Sequence, residues 1–274
     1  MDEAAQDQLS AAAQERPAFV RPALIVSPAD RAQEAAAHLR DVSDWAPLHQ
    51  ADSVLVLGGD GTMLDAMHRM IDEGLSLPAY GLNLGTVGFL MNRYQRGSRV
   101  LERMNRAKRW AVSPLKMTAT TLAGTTSELY AINEVSLLRE TRQTAKIEIA
   151  VNERVRIAEL AADGVLLSTP VGSTAYNFSA SGPILPLDSK MLALTPISPF
   201  RPRRWKGAIL PDRSRVTFRV LEPHLRPVAA VADQQELREI AEVHLEIDRS
   251  RELTLLFDPG HALDERIVAE QFAH

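Results

Sequence analysis

The sequence predicts an α/β N-terminal domain with a parallel sheet, joined to a β-rich C-terminal domain. Three observations lead there. Short apolar runs alternate with helical patterns up to about residue 108, as in a parallel sheet flanked by helices. From Pro114 onward, strand-like runs follow one another between turn signals with few helices among them. One wholly apolar run, Val54-Leu55-Val56-Leu57, reads as a buried strand and passes straight into Gly58-Gly59-Asp60-Gly61-Thr62.

Taken in order, residues 1–16 are rich in Ala and Gln with scattered acids and read as a flexible extension. The α/β domain is expected over residues 17–112. Residues 23–26 are a short buried strand, and Pro28, at a first helical position, opens a helix that runs through His38 and Leu39. After the glycine turn, Thr62 is the expected helix N-cap. Met63, Leu64, Met67, Met70 and Ile71 follow at helical spacing, a stripe that reads as core, and Gly74 stops the helix. His38 and His68 stand alone on their helices and read as surface or core-edge residues rather than ligands.

Residues 78–83 form another parallel strand, ending in a second glycine-rich loop, Gly85-Thr86-Val87-Gly88-Phe89-Leu90. Open α/β sheets bind their ligands in such loops at strand ends. A further helix spans about residues 98–108. Residues 113–257 are expected to form the β-rich domain, with strands near 116–121, 127–138, 144–151, 155–160, 165–168, 215–221, 227–232, 243–248 and 253–257. After Asp258-Pro259-Gly260, a helix over 261–272 is placed to return to the first domain.

Composition narrows the function classes. The chain has 274 residues, 45% hydrophobic and 24% charged, long enough for two cores. A net charge of -4 argues against a nucleic-acid partner. There is no cysteine, so disulfides and Cys metal sites are excluded, which fits a reducing, cytoplasmic location. No apolar run approaches the ~20 residues of a membrane span, so no membrane partner is expected.

Three stretches carry chemistry. In the first, Asp60 sits between Gly59 and Gly61 beside a helix N-terminus whose free N–H groups favour phosphate. The bland alternative is an ordinary strand-to-helix turn with a capping Asp. In the second, Asn133-Glu134 interrupts an apolar run, which is costly unless partners wait for it or it lies at an edge or bulge. The third runs from Asp163-Gly164 through a buried strand into Gly172-Ser173-Thr174-Ala175-Tyr176-Asn177-Phe178-Ser179. This loop is crowded with hydroxyls and small residues that let backbone reach a ligand. The P-loop, protein-kinase, dinucleotide-fold, nucleophile-elbow and His-Glu-x-x-His patterns are all missing.

Together, and in this order and spacing, these three stretches resemble the NAD kinases from about Ala23 to the C-terminus. The third is the most specific; the first is shared with diacylglycerol-type lipid kinases and phosphofructokinases. Leu194-Thr195-Pro196-Ile197 and the Asp233 region agree with the resemblance. It implies the NAD kinase two-domain architecture, with NAD in the cleft and the γ-phosphoryl of ATP passing to the 2′-hydroxyl of the adenosine ribose. By the same resemblance Asp60 is the catalytic proton acceptor. NAD is held by Asp60, Gly61, Phe89, Asn133, Glu134, Asp163, Thr174, Ala175, Tyr176, Asn177, Phe178, Ser179 and Gln235, while Gly58, Gly59 and Thr62 face the phosphate donor. The implied divalent ion, Mg2+, travels with ATP, and no residue is assigned to a metal. A homodimer or homotetramer is the implied assembly, and polyphosphate is an open alternative donor.

Two departures stand against the family pattern. Val171 replaces a hydroxyl residue before Gly172, and the basic stretch Pro199-Phe200-Arg201-Pro202-Arg203-Arg204-Trp205-Lys206 replaces a Pro-His-Ser-type segment. A solvated basic loop is the plainer reading of the latter. Two competing functions remain: a lipid or sugar kinase sharing the first turn, and a non-catalytic NAD or NADP sensor.

Overall fold

The computed structural model describes residues 18–97 and 99–260. The expected extension 1–16 and the helix expected at 261–272 lie outside these residues. Within them, three six-stranded sheets are formed.

The first sheet runs in the order Pro22–Val26, Ser53–Gly58, Pro78–Asn83, Leu253–Phe257 and Lys108–Val112, with Asn92–Arg93 beside Pro78–Asn83. All pairings are parallel except that of Lys108–Val112 with Leu253–Phe257. Ser53–Gly58 is buried at every residue because both its faces are covered. Val54 and Val56 join Met63, Met67 and Met70 on one side; Leu55 and Leu57 join Ala32, Ala35 and Leu39 on the other. The Met stripe expected as core is core: Met63, Leu64, Met67, Met70 and Ile71 are all buried. Each fully buried Met contributes about 1.5–3 kcal/mol relative to exposure.

Three helix boundaries and one sheet assignment differ from the sequence reading. The second helix is Asp60–Asp72 with Gly59 as N-cap, so Thr62 lies inside it rather than capping it. Instead Thr62 folds back over Gly58, where a Cβ would run into its Oγ1. The first helix is Asp30–Leu39, opening after an extended Ala29 and not at Pro28. The third is only Val100–Arg106, because Lys108 already begins an edge strand. Finally, Leu253–Phe257 has the expected bounds but pairs with Pro78–Asn83, which moves it out of the β-rich region into the first sheet. Its run of apolar residues suits a strand buried on both faces: Leu253, Leu255 and Phe257 point to one cluster and Leu256 to the other.

The remaining two sheets are antiparallel and share one apolar core. Ala145–Val151 shows the logic: Ala145, Ile147, Ile149 and Val151 are buried, and the residues between them are not. In the other sheet, Gly164–Ser168 is central and buried throughout, flanked by Glu134–Arg139 and Met191–Ile197. The long strand expected at 127–138 is broken into Thr126–Ala131 and Glu134–Arg139, each in a different sheet. The chain changes sheets at Ile132-Asn133, where the polar pair interrupts the apolar run.

Candidate active site

Two glycine-rich loops meet at the C-terminal end of the parallel strands. A Cβ added at Gly85 would come within 3.4 Å of the Gly59 Cα, and Leu84 donates to the Gly58 carbonyl at 2.7 Å. Asn83 shapes the second loop: its Oδ1 accepts from Gly85 N–H at 2.9 Å and its Nδ2 donates to the Val87 carbonyl at 2.9 Å. Gly88 adopts φ +77 directly against that amide, a place where a side chain would be strained and would clash.

Asp60, on the first turn of its helix, points into this loop. Its Oδ2 accepts from Gly88 N–H at 3.1 Å and Phe89 N–H at 2.9 Å, and its Oδ1 accepts from Leu90 N–H at 2.7 Å. The bare turn of the sequence reading is therefore a tethered one. Three backbone donors fix the carboxylate, and of its roughly four acceptor positions one is left for a ligand.

The Asn133-Glu134 turn is held by Asp233. This residue takes a left-handed φ of 51 between Val228–Ala232 and Gln235–Leu237. Its carboxylate accepts from Ile132 N–H at 2.7 Å, Asn133 N–H at 2.9 Å and Glu134 N–H at 3.2 Å. On the other side of the turn, Thr169 Oγ1 donates to the Ile132 carbonyl at 2.6 Å and accepts from Gly172 N–H at 3.1 Å. Gly172 lies so close over Asn133 that a Cβ would overlap its backbone. Asn133 and the hydroxyl-rich loop are thus one unit.

Glu134 is left open within it. The residue is buried, and its Oε2 has no hydrogen-bond partner among the described residues. Burial, and secondarily the Asp233 charge, push its carboxyl up to about 8. The half-buried Tyr176 phenol is raised by burial first and then by the Glu134 and Asp163 charges, which places all three groups in one field.

The other expected contacts divide. Asp163 is partly exposed and bonded to Arg139 Nε at 2.6 Å. Thr174 and Ala175 are half-exposed, and Gly61, Phe178, Ser179 and Gln235 are exposed. Phe89 is half-buried beside the Asp60 tether. Asn177 is buried, with its amide bonded within the fold. Its Nδ2 donates to the Ser173 and Pro183 carbonyls and its Oδ1 accepts from Thr195, so both ends of the amide are used within the fold. Val171 is buried in the apolar cluster that contains Ile132. Arg201 and Arg203 lie over the exposed Phe200 ring, each 5.6 Å from its centroid, as a solvated loop would. Sequence reasoning missed the parts played by Thr169 and Asn83, and gave the Asp233 region only as an agreeing match. The partners of Thr169 and Asn83, and those of Asp233 on the Asn133-Glu134 turn, are backbone groups, which leave no mark on residue spacing.

The model of the ATP-NAD kinase N-terminal domain matches residues 24–111, and that of the C-terminal domain matches residues 132–256. The chain belongs to the NAD kinase family. It is 58% identical over 254 residues to an NAD kinase of Zymomonas mobilis, covering 93% of this chain and 98% of that one. With an NAD kinase of Caulobacter vibrioides it shares 51% over 261 residues, covering 95% and 99%. Among solved structures, yeast NADH kinase complexed with NADH superposes with a TM-score of 0.79 at 21% identity, covering 93% of this chain and 88% of that one. An NAD kinase from Archaeoglobus fulgidus in complex with ATP gives 0.72 at 20%, covering 91% and 98%. The family is one of phosphotransferases, and the α/β plus β-rich architecture read from the sequence is the family's. Among the described residues, no helix is long and apolar enough to cross a membrane.

Proposed function

We propose that the chain transfers the γ-phosphoryl of ATP to the 2′-hydroxyl of the adenosine ribose of NAD, with Asp60 as proton acceptor. The observation that carries this reading is the tethered Asp60 carboxylate: oriented by three N–H groups, at a helix N-terminus, with one acceptor position left over. As the 2′-oxygen bonds to phosphorus, its proton passes to Asp60 and the bond from phosphorus to the ADP oxygen breaks. General-base help of this kind is worth about 10²–10⁴ in rate, and holding hydroxyl and phosphorus in line contributes more. Glu134, buried with a free oxygen, suits a ligand hydroxyl that would relieve its unmet hydrogen bond. Asn133, Asp163, Tyr176 and the 174–175 backbone would complete the NAD site, with Gly61, Phe89, Phe178, Ser179 and Gln235 at its exposed edge. Gly58, Gly59 and Thr62 would face the triphosphate.

The divalent ion, Mg2+ in this reading, enters on ATP. Among the described residues no group of three or more His, Asp or Glu is placed to hold one unaided. Bound there, it would neutralise charge on the transferring phosphoryl. The yeast neighbour is a complex with NADH and the archaeal one a complex with ATP, in keeping with a dinucleotide acceptor and an ATP donor. A cytoplasmic homodimer or homotetramer is proposed with it.

The deciding experiment is NADP formation by the purified chain. NAD, diacylglycerol and fructose 6-phosphate are compared as acceptors, ATP and polyphosphate as donors, and Mg2+ is omitted from one arm. Product is expected from NAD, not from the other acceptors, with ATP and Mg2+; the polyphosphate arm reads the donor range. NAD binding without NADP formation would instead identify a sensor.

A further inference from the structure

His68, set aside in the sequence as a core-edge residue, reaches across the molecule. It lies two helical turns beyond Asp60 on the same helix, and its Nε2 is 2.7 Å from Asp233 Oδ2. The imidazole is 15% exposed and the Asp233 side chain 2%. That same carboxylate holds the Ile132, Asn133 and Glu134 N–H groups. One acid therefore joins the helix that begins with Asp60 to the turn that carries Asn133 and Glu134, and Thr169 extends the linkage to Gly172.

We propose that His68 is a positioning residue. By donating to Asp233 it sets the placement of the Asp60 helix against the Asn133-Glu134 turn, and so of the proton acceptor against the bound dinucleotide. The proposal rests on the kinase reading of Asp60. It needs rigid coupling, and the bonds supply it: Asp233 is nearly sealed from water, and every other partner it has on the turn is backbone, which cannot swing away as a side chain can. A misplacement of ~1 Å at the reacting atoms can lower rate about 10²-fold.

The charges around His68 are acidic. Asp65 and Asp72 stand on its own helix, Asp233 faces it across the interface, and Glu134 lies behind Asp233. The Asp233 hydrogen bond, opposed by burial, holds the imidazole above its ordinary value of 6.5. A folded value raised in this way stabilises the protein fully below pH 6.5, and the contribution is lost as pH rises through the raised value. Geometry, by contrast, asks only for an N–H donor at that point.

His68→Gln keeps a neutral donor at about the same reach; His68→Ala removes it. Both are compared with the wild-type full chain in NADP formation and in thermal unfolding from pH 5.5 to 9. His68→Ala is expected to lose at least tenfold in kcat with KM for ATP within threefold, while His68→Gln recovers kcat to within threefold of wild type. The wild type should out-melt His68→Gln most below pH 6.5, with the gap closing as pH rises. Either a kcat within twofold of wild type for His68→Ala or a His68→Gln no faster than His68→Ala overturns the proposal. Should His68→Ala not fold, the kcat of His68→Gln and its closing stability gap decide: a slow variant, or a gap flat with pH, overturns it. A wild type that makes no NADP overturns the kinase reading itself, whereas an active wild type with an indifferent His68→Ala overturns only the proposal.

Discussion

Asp60 opens a helix directly after a buried strand and Glu134 opens a strand after a two-residue connection, yet the fold treats the two acids oppositely. Asp60 receives three N–H groups from one neighbouring loop. Glu134 is buried with an oxygen that no hydrogen-bonding group among the described residues reaches, while the adjacent Asp233 takes the donors of its turn. A carboxylate that must accept a proton from a fixed direction benefits from being held before the ligand arrives. One that recognises a hydroxyl benefits from being left unsatisfied, because the ligand then supplies a bond the empty protein lacks. Under the proposed function, the contrast fits chemistry at the first acid and recognition at the second.

The hardest test of that contrast is Asp60→Asn. An amide keeps one acceptor oxygen, enough for the two donors at Gly88 and Phe89, but turns an NH2 toward Leu90 N–H. One hydrogen bond is lost and two donors face each other, at a cost of about 1–3 kcal/mol in thermal or denaturant unfolding. Turnover should fall about 10²–10⁴-fold. NAD affinity, measured calorimetrically, should stay within a few-fold. Equal losses in turnover and affinity would make Asp60 a second recognition group and dissolve the comparison.

The two acids also differ in how readable they were. The Asp60 turn is local: strand, glycines, acid and helix are contiguous, and the apolar spacing after it gives the helix face correctly. What spacing could not give was the tether, since the donors are backbone groups 28 to 30 residues away. The Asn133-Glu134 turn depends on Asp233, about a hundred residues later. Only the cost of placing a polar pair in an apolar run announced it. Leu253–Phe257 was misplaced for a similar reason. Its composition says that both faces are buried, but not in which sheet. Asn177 stands in a matching motif, and its buried amide also ties the loop to itself and to Thr195, which spacing does not reveal.

Glu134→Gln addresses the second acid and should have the next largest effect. The folded carboxyl titrates at about 8 against an ordinary 4.5. Between those values the native protein keeps a proton that the unfolded chain has released, so wild-type stability falls as pH rises from about 4.5 and levels off above about 8. Gln cannot titrate. The variant should therefore gain stability on wild type through that window, by at most about 5 kcal/mol at ~1.4 kcal/mol per pH unit, read as a rise in its relative melting temperature. Its NAD affinity should lose any inflection near pH 8. A melting difference that is flat with pH would mean that water or another group already satisfies Glu134.

The smallest effect is expected at Val171, where the family's hydroxyl is missing. If that side chain faced the dinucleotide, restoring the hydroxyl with Val171→Thr would tighten NAD binding. The structure argues otherwise: Val171 is 7% exposed and belongs to the cluster that includes Ile132, with Ile184 and Leu187 packed against it. The shapes of Val and Thr are nearly the same, so packing survives, but a hydroxyl replaces a methyl among apolar neighbours and costs about 1–3 kcal/mol. NAD affinity should change less than twofold while the unfolding midpoint drops. The outcome sharpens the contrast between the two acids, because it asks whether recognition lies in Glu134 and its turn or is spread along the hydroxyl loop. A tenfold gain in affinity at unchanged stability would turn Val171 toward the ligand and share the recognition out.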